Sequence, residues 1–219
     1  MVRSLVRGLA VGAVMMTTAV ATNAATSSTA EAQIGGCSDV HVVFARGSGE
    51  LPGLGIVGGP LVNSIKSKLR GQNVTSYAVN YLADVAQTSA GAGATDTTNH
   101  ITAKAAQCPE TKFVVGGYSQ GASVMDIALG VPNFLGLGKA LPENLRDRVV
   151  AVVLFGNPLA LTGGKVEKNA TWGARTKEFC NLGDPVCAAG VNVMAHITYG
   201  LDGSTDRAAD FVVTKVGAQ

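Results

Sequence analysis

Charge is scarce in this chain. Asp, Glu, Lys and Arg make up only 15% of its 219 residues, and 17 basic against 15 acidic side chains leave a formal net charge of +2. A surface so sparsely and evenly charged supplies no strong field for a polyanion, so neither nucleic acid nor an anionic membrane is an expected partner. Aromatic residues reach only 5%, with a single Trp, and there are three His. No Gly-x-x-x-x-Gly-Lys-Ser/Thr segment occurs, and no Gly-x-Gly-x-x-Gly stands directly after a strand, which removes the common phosphate and dinucleotide cradles. A Cys-x-x-Cys pair is also missing, so a compact zinc site lacks its usual ligands. No cofactor and no metal are expected. What the chain does have is apolar residues, at 47%, and 28 Gly. This excludes the charge-rich, apolar-poor profile of a disordered chain. The length allows one well-filled domain and does not require a second.

Arg3 and Arg7 precede an apolar stretch from Leu9 to Ala21, and small residues follow as far as Ala32. That layout predicts a secretory signal peptide over residues 1–32, with the domain in 33–219. Thr17, Thr18, Thr22 and Asn23 interrupt the run before it spans a bilayer, so no transmembrane span is expected. The expected location is outside the cell, free or loosely associated with the envelope, and the expected state is a monomer. Cys37, Cys108, Cys180 and Cys187 all lie beyond the signal, and an even count in an exported chain favours two disulfides. Three pairings are open. Cys180 and Cys187 flank the turn-like hexapeptide Asn181–Val186, which favours a small closed loop, leaving Cys37 for Cys108.

Val40–Ala45, Val74–Val79, Phe113–Val115 and Val149–Phe155 read as strands, the last two as continuous apolar runs of the kind covered on both faces in parallel sheets. Helix-length stretches separate them. Gly58–Leu69, Thr97–Gln107, Ser119–Leu129 and Ala208–Val216 carry apolar residues at three-to-four spacing. The alternation predicts a three-layer α/β fold with its site beyond the carboxyl ends of the strands. Gln87–Thr98 reads as a loop, and Gly130–Lys139 and Leu161–Trp172 as irregular excursions whose exposed Phe134, Leu135, Leu137 and Trp172 either pack or rim an apolar cleft.

The segment Gly117-Tyr118-Ser119-Gln120-Gly121 matches Gly-x-Ser-x-Gly, with a buried strand before it and a helix after it. Glycines two residues either side of a serine permit a sharp strand-to-helix turn that lifts the hydroxyl clear of the sheet. The helix then begins beneath it, with its first N–H groups facing any oxyanion formed there. A serine nucleophile needs a base. His196 lies downstream of Ser119, in the order this fold uses, whereas His41 starts the first strand and His100 sits in a helix upstream. The acid belongs between them, among Asp126, Glu143, Asp147, Glu178 and Asp184. Asp126 lies two turns down the helix, roughly 10 Å along its axis from the serine, and Glu143 and Asp147 fall in a polar helix. Asp184 sits inside the Cys180–Cys187 loop, where its carboxylate is restrained to orient an imidazole. The backbone N–H of Gln120 and a donor at Ser48, in the Gly47–Gly49 loop after the first strand, form the expected oxyanion hole.

Taken together, Val43–Ser48, Tyr77–Tyr81, Gly116–Ala122, Leu154–Pro158, Cys180–Cys187 and His196–Gly200 resemble, in content and order, the cutinase family of secreted serine esterases, especially its actinobacterial members. The resemblance implies a small α/β-hydrolase domain with a central five-stranded parallel sheet and no large lid. It implies Ser119 as nucleophile, Asp184 as acid and His196 as base, with Ser48 and Gln120 as oxyanion donors. It also implies Cys37–Cys108 and Cys180–Cys187 as the disulfides. The expected function is hydrolysis of carboxylic esters with short to medium acyl chains, cutin or lipid esters among the candidates. A binding or cell-wall interaction protein retaining the fold, and a peptidase using the same parts, are the alternatives. The Leu51–Ile56 and Gly130–Lys139 segments depart from the family pattern and are expected to shape the acyl cleft.

Overall fold

The computed structural model describes Met1 and residues 36–218. Apart from Met1, the expected signal peptide lies outside the described residues. Within 36–218 the strands are β1 (Val40–Ala45), β2 (Val74–Ala78), β3 (Lys112–Tyr118), β4 (Val149–Phe155) and β5 (Thr176–Phe179). The helices are α1 (Gly55–Lys68), α2 (Ala90–Gln107), α3 (Gln120–Ala128), α4 (Val193–Ile197) and α5 (Ser204–Gly217). All five strands are parallel, in the order β2-β1-β3-β4-β5. Phe44 pairs with Gly116 at the centre, and Tyr118 with Phe155 one strand over.

Alternation along the strands splits the core into two layers. Val43, Val115, Val152 and Leu154 face α2 and α3, where Ile101, Val124, Met125 and Trp172 complete one cluster. Val42, Phe44, Val153 and Phe155 face α1 and α5, packing on Leu61, Ile65, Val212 and Tyr199. Residues of β1 and β4 are buried throughout, and β4, with no polar residue, therefore reads as an unbroken apolar run, whereas His41 interrupts β1. Cys37 is bonded to Cys108 and Cys180 to Cys187.

Several expectations need correction. Helix α2 starts at Ala90, so most of the stretch that reads as a loop, Gln87–Thr98, is helical. Its small residues serve close packing rather than flexibility: a Cβ on Gly91 would lie 2.1 Å from the Leu137 carbonyl oxygen, and one on Gly93 would lie 2.8 Å from Val124. Asp84 steadies the approach to the helix by accepting the N–H groups of Thr88 and Ser89. Strand β5 leaves almost no apolar signal, because it is four residues long, holds Lys177 and Glu178, and lies at a sheet edge. Trp172, expected to be exposed, is 2% exposed, and its indole N–H donates to the Leu129 carbonyl at 2.8 Å. Phe134 and Leu137 do stand in solvent. The polar Glu143–Arg148 segment is helical, as expected, and its turns are 3-10.

Candidate active site

The turn from β3 into α3 holds Ser119 at φ 56°, ψ −122°, in a region that L-residues seldom occupy. Two glycines make room for it. A Cβ on Gly117 would fall 2.1 Å from the Gly121 carbonyl oxygen, and one on Gly121 would fall 2.0 Å from that of Ala45. The Ser119 N–H donates to the Phe155 carbonyl at 2.9 Å, which anchors the strained residue to β4. Gln120 then begins α3, so its N–H has no acceptor within the helix and lies beside the serine.

His196 comes from α4, beyond the carboxyl ends of the strands. Its Nε2 lies 2.9 Å from Ser119 Oγ and its Nδ1 lies 2.9 Å from Asp184 Oδ2. Because a carboxylate only accepts, Nδ1 carries the ring proton and Nε2 presents its lone pair to the serine hydroxyl. Asp184 is fully buried. Its Oδ1 accepts the Val186 N–H at 2.7 Å, and its Oδ2 also accepts the Tyr199 hydroxyl at 2.5 Å. The backbone carbonyl of Asp184 takes the N–H groups of Ala188 and Gly190, closing the turn that the Cys180–Cys187 bridge spans. The ring of His196 is seated by two further contacts. Tyr118 lies beside it with ring centroids 5.1 Å apart and donates its hydroxyl to the His196 carbonyl at 3.0 Å. A Cβ on Gly156 would stand 2.7 Å from His196 Cε1, so only glycine fits there.

Ser48 lies in the loop after β1, where its hydroxyl donates to Gln120 Oε1 at 3.2 Å. Glu50 holds this loop in shape by accepting the N–H groups of Gly47 and Ile56. Arg46, buried, donates to the Glu50 carbonyl at 2.8 Å and to the Tyr81 carbonyl at 2.8 Å.

The structure thus brings Ser119, His196 and Asp184 into one hydrogen-bonded line, with Ser48 and Gln120 beside it. The other candidates stand apart. His41, near the amino end of β1, contacts His100 of α2 through their Nε2 atoms at 2.8 Å. Burial, with the partner His and Lys104 for His41 and with Lys104 for His100, lowers both rings to about 4. Glu143 and Asp147 pair with Arg146 and Arg175 at the surface. Asp126 and Glu178 are joined through the Asn157 amide, away from the histidine. Tyr199, Tyr118 and Gly156 belong to the site without a signal in the sequence that marks them. Tyr199 sits within the His196–Gly200 segment, but nothing in its spacing announces a contact with Asp184. Among the described residues no group of three or more His, Cys, Asp or Glu side chains is arranged to hold a metal ion. No described helix is long and apolar enough to cross a membrane.

An apolar groove of about 380 Å³ opens at this end of the sheet, lined by Val85, Phe134, Leu135, Pro158, Leu161 and Val186 among others. Val186 ties it to the site, since its N–H holds Asp184. Exposed Leu82, Leu182 and Val191 stand on neighbouring loops and exposed Met194 on α4, beyond the strand ends.

A fold and site of this kind find relatives throughout the described chain. The cutinase family model matches residues 36–216. A protein named cutinase from Kineococcus radiotolerans is 49% identical over 83% of this chain, which spans 63% of that relative's length. Carboxylesterase Culp1 of Mycobacterium tuberculosis is 39% identical over 98% of this chain and 97% of its own. A solved structure of Trichoderma reesei cutinase with a phosphonate inhibitor is 32% identical and superposes with a TM-score of 0.65, covering 82% of this chain and 77% of that one. With the family model spanning the sheet, its helices and the serine turn, the chain belongs to the cutinase family of carboxylic ester hydrolases.

Proposed function

We propose that this chain is a secreted serine esterase in which Ser119 is the nucleophile, His196 the base and Asp184 the anion that orients it. The observation that carries the reading is the line Asp184, His196, Ser119, with 2.9 Å at each step and the carboxylate out of water. As Ser119 Oγ bonds to the ester carbonyl carbon, its proton passes to His196 Nε2, and Asp184 steadies the imidazolium without taking a proton. The carbonyl oxygen becomes an oxyanion facing the Gln120 N–H and the Ser48 donors. Breakage of the C–O bond releases the alcohol with the proton from Nε2. Water then repeats the sequence on the acyl-enzyme and frees the acid and the serine.

The apolar groove beside the site suits short to medium acyl chains. The exposed Leu82, Val85, Leu182 and Val193 around it suit esters presented by a lipid or polymer surface. Export through residues 1–32 and action as a monomer complete the proposal. The test is hydrolysis of p-nitrophenyl esters from C2 to C16 by the protein lacking residues 1–32, beside its Ser119→Ala variant, with folding of both followed by circular dichroism. Activity peaking between C4 and C8 and abolished in the variant is expected. Full turnover by folded Ser119→Ala would overturn the assignment, and flat rates across chain length would overturn the chain-length preference.

A further inference from the structure

Asp126 is fully buried on α3, two turns beyond Ser119, and takes no part in the proton relay. Burial, with Glu178 nearby, pushes its carboxyl up to about 8 against the pull of two amide donors. Those donors are what its position serves. Asn133 Nδ2 donates to Oδ2 at 2.8 Å, and Asn157 Nδ2 donates to Oδ1 at 3.1 Å. Neither amide is free to turn over. Asn133 Oδ1 accepts the Leu135 N–H at 2.8 Å, and Asn157 Oδ1 accepts the Leu159 N–H at 3.0 Å. Through two amides the carboxyl therefore holds two backbone turns, one carrying Phe134 and Leu135 and the other leading into Pro158 and Leu161. These four residues line the apolar groove, on segments separate from those of Val85, Pro185 and Val186.

We infer that Asp126 is a positioning residue that sets the width of the acyl groove, and with it the preference among acyl chains, by tying two of the groove's segments to the helix that begins at Ser119. The inference rests on the esterase reading. Hydrogen bonds from the backbone fasten the 130–139 excursion near its ends, from the Val131 N–H to the Asp126 carbonyl and from the Lys139 N–H to the Thr95 hydroxyl. Between them the Asn133 side chain reaches α3 from the turn that presents Phe134, which is 60% exposed.

The test compares kcat and KM for p-nitrophenyl acetate, butyrate, octanoate and laurate across wild type, Asp126→Asn, Asn133→Ala and the exchange Asp126→Asn with Asn133→Asp. In Asp126→Asn one carboxyl oxygen becomes an NH2 group and meets an amide NH2, so one of the two ties is repelled. The exchange restores complementarity, because a carboxylate at position 133 accepts both the new amide and the Leu135 N–H. We expect the octanoate to acetate ratio of kcat/KM to shift at least threefold in Asp126→Asn and Asn133→Ala, through KM rather than kcat, and to return toward wild type in the exchange. Parallel changes at all chain lengths, an unchanged ratio, or no recovery in the exchange would overturn the inference. If Asp126→Asn does not fold, Asn133→Ala decides the matter, since that side chain is partly exposed and its loss leaves Asp126 still bonded to Asn157. Wild type inactive on every ester would overturn the esterase reading itself, whereas active wild type with unmoved selectivity overturns only the role of Asp126.

Discussion

Replacing Asp184 with Asn changes one atom's chemistry at almost constant shape, and the surroundings decide which atom. In the native turn Oδ1 accepts the Val186 N–H at 2.7 Å, while Oδ2 accepts the Tyr199 hydroxyl at 2.5 Å and faces His196 Nδ1 at 2.9 Å. An NH2 group at the Oδ1 position would point a donor at a backbone N–H that cannot turn away. At the Oδ2 position it meets a hydroxyl that rotates to accept and an imidazole that changes tautomer to accept. The second arrangement wins, and it moves the ring proton of His196 to Nε2, against Ser119. The ring then cannot take the serine proton. We expect kcat/KM on p-nitrophenyl butyrate to fall about 10⁴-fold, the loss attached to a misplaced imidazole proton, or about 5.5 kcal/mol of barrier. Stability should move by less than about 2 kcal/mol, because a buried charge disappears while the Tyr199 hydroxyl proton turns from the carboxylate to the weaker acceptor Cys187 Sγ, 3.5 Å away. Steady-state kinetics and urea melts on the same preparation separate the two effects. A folded variant that keeps more than a tenth of the wild-type kcat/KM would refute the reasoning.

The His41–His100 contact predicts a pH effect on folding. Both rings titrate near 4 in the folded chain against an ordinary 6.5, so the unfolded chain takes up protons first and stability falls as pH drops from about 6.5 toward 4. Halving the full linkage value for solvent screening leaves about 3 kcal/mol for the pair at pH 4. Urea midpoints at pH 7 and about 4.5 should therefore differ more in wild type than in His100→Gln, and equal differences would remove the pair from the account. Gly121→Ala would push a methyl group against the Ala45 carbonyl, so it should cost at least about 2 kcal/mol and most of the esterase activity, read by melts and p-nitrophenyl butyrate turnover. Converting Cys180 and Cys187 together to Ser should remove roughly 2–3 kcal/mol by the loop-entropy model and lower kcat by loosening Asp184, whereas an unchanged melt and kcat would show that hydrogen bonds alone hold the turn.

Strands covered on both faces are plain in the sequence, because Val149–Phe155 has no polar residue to confuse its pattern. Edge strand β5 is not, since Lys177 and Glu178 lie outside the apolar core and four residues are too few for a period to appear. The early start of α2 is hidden for a different reason. Gly91 and Gly93 weaken a helix locally, and their purpose, close approach to Leu137 and Val124, exists only in the folded chain. Within the site, Ser119, Asp184 and His196 are legible because each lies in a short segment of distinctive composition, and their side chains do meet. Tyr199 and Gly156 are not, as their partners lie 15 or more residues away and depend on how β4, the Asp184 turn and α4 converge. Asp126 reads as a candidate acid because of its residue type, while its amide partners at 133 and 157 become visible only in three dimensions.

A parallel sheet gathers its reactive loops at one end, and the opposite end is free for other uses. At the amino ends of β1 and β2 the Cys37–Cys108 bridge, the His41–His100 contact and the Thr75–Ser38 hydrogen bond hold the chain together far from Ser119. The exposed turn at Glu110, between α2 and β3, lies at that same end. A tether placed there, to a bead, a film or a fused partner, would leave the groove and its apolar rim facing outward. The molecule has in effect a handle and a working face, and orientation on a support can be chosen without touching a residue that handles the ester.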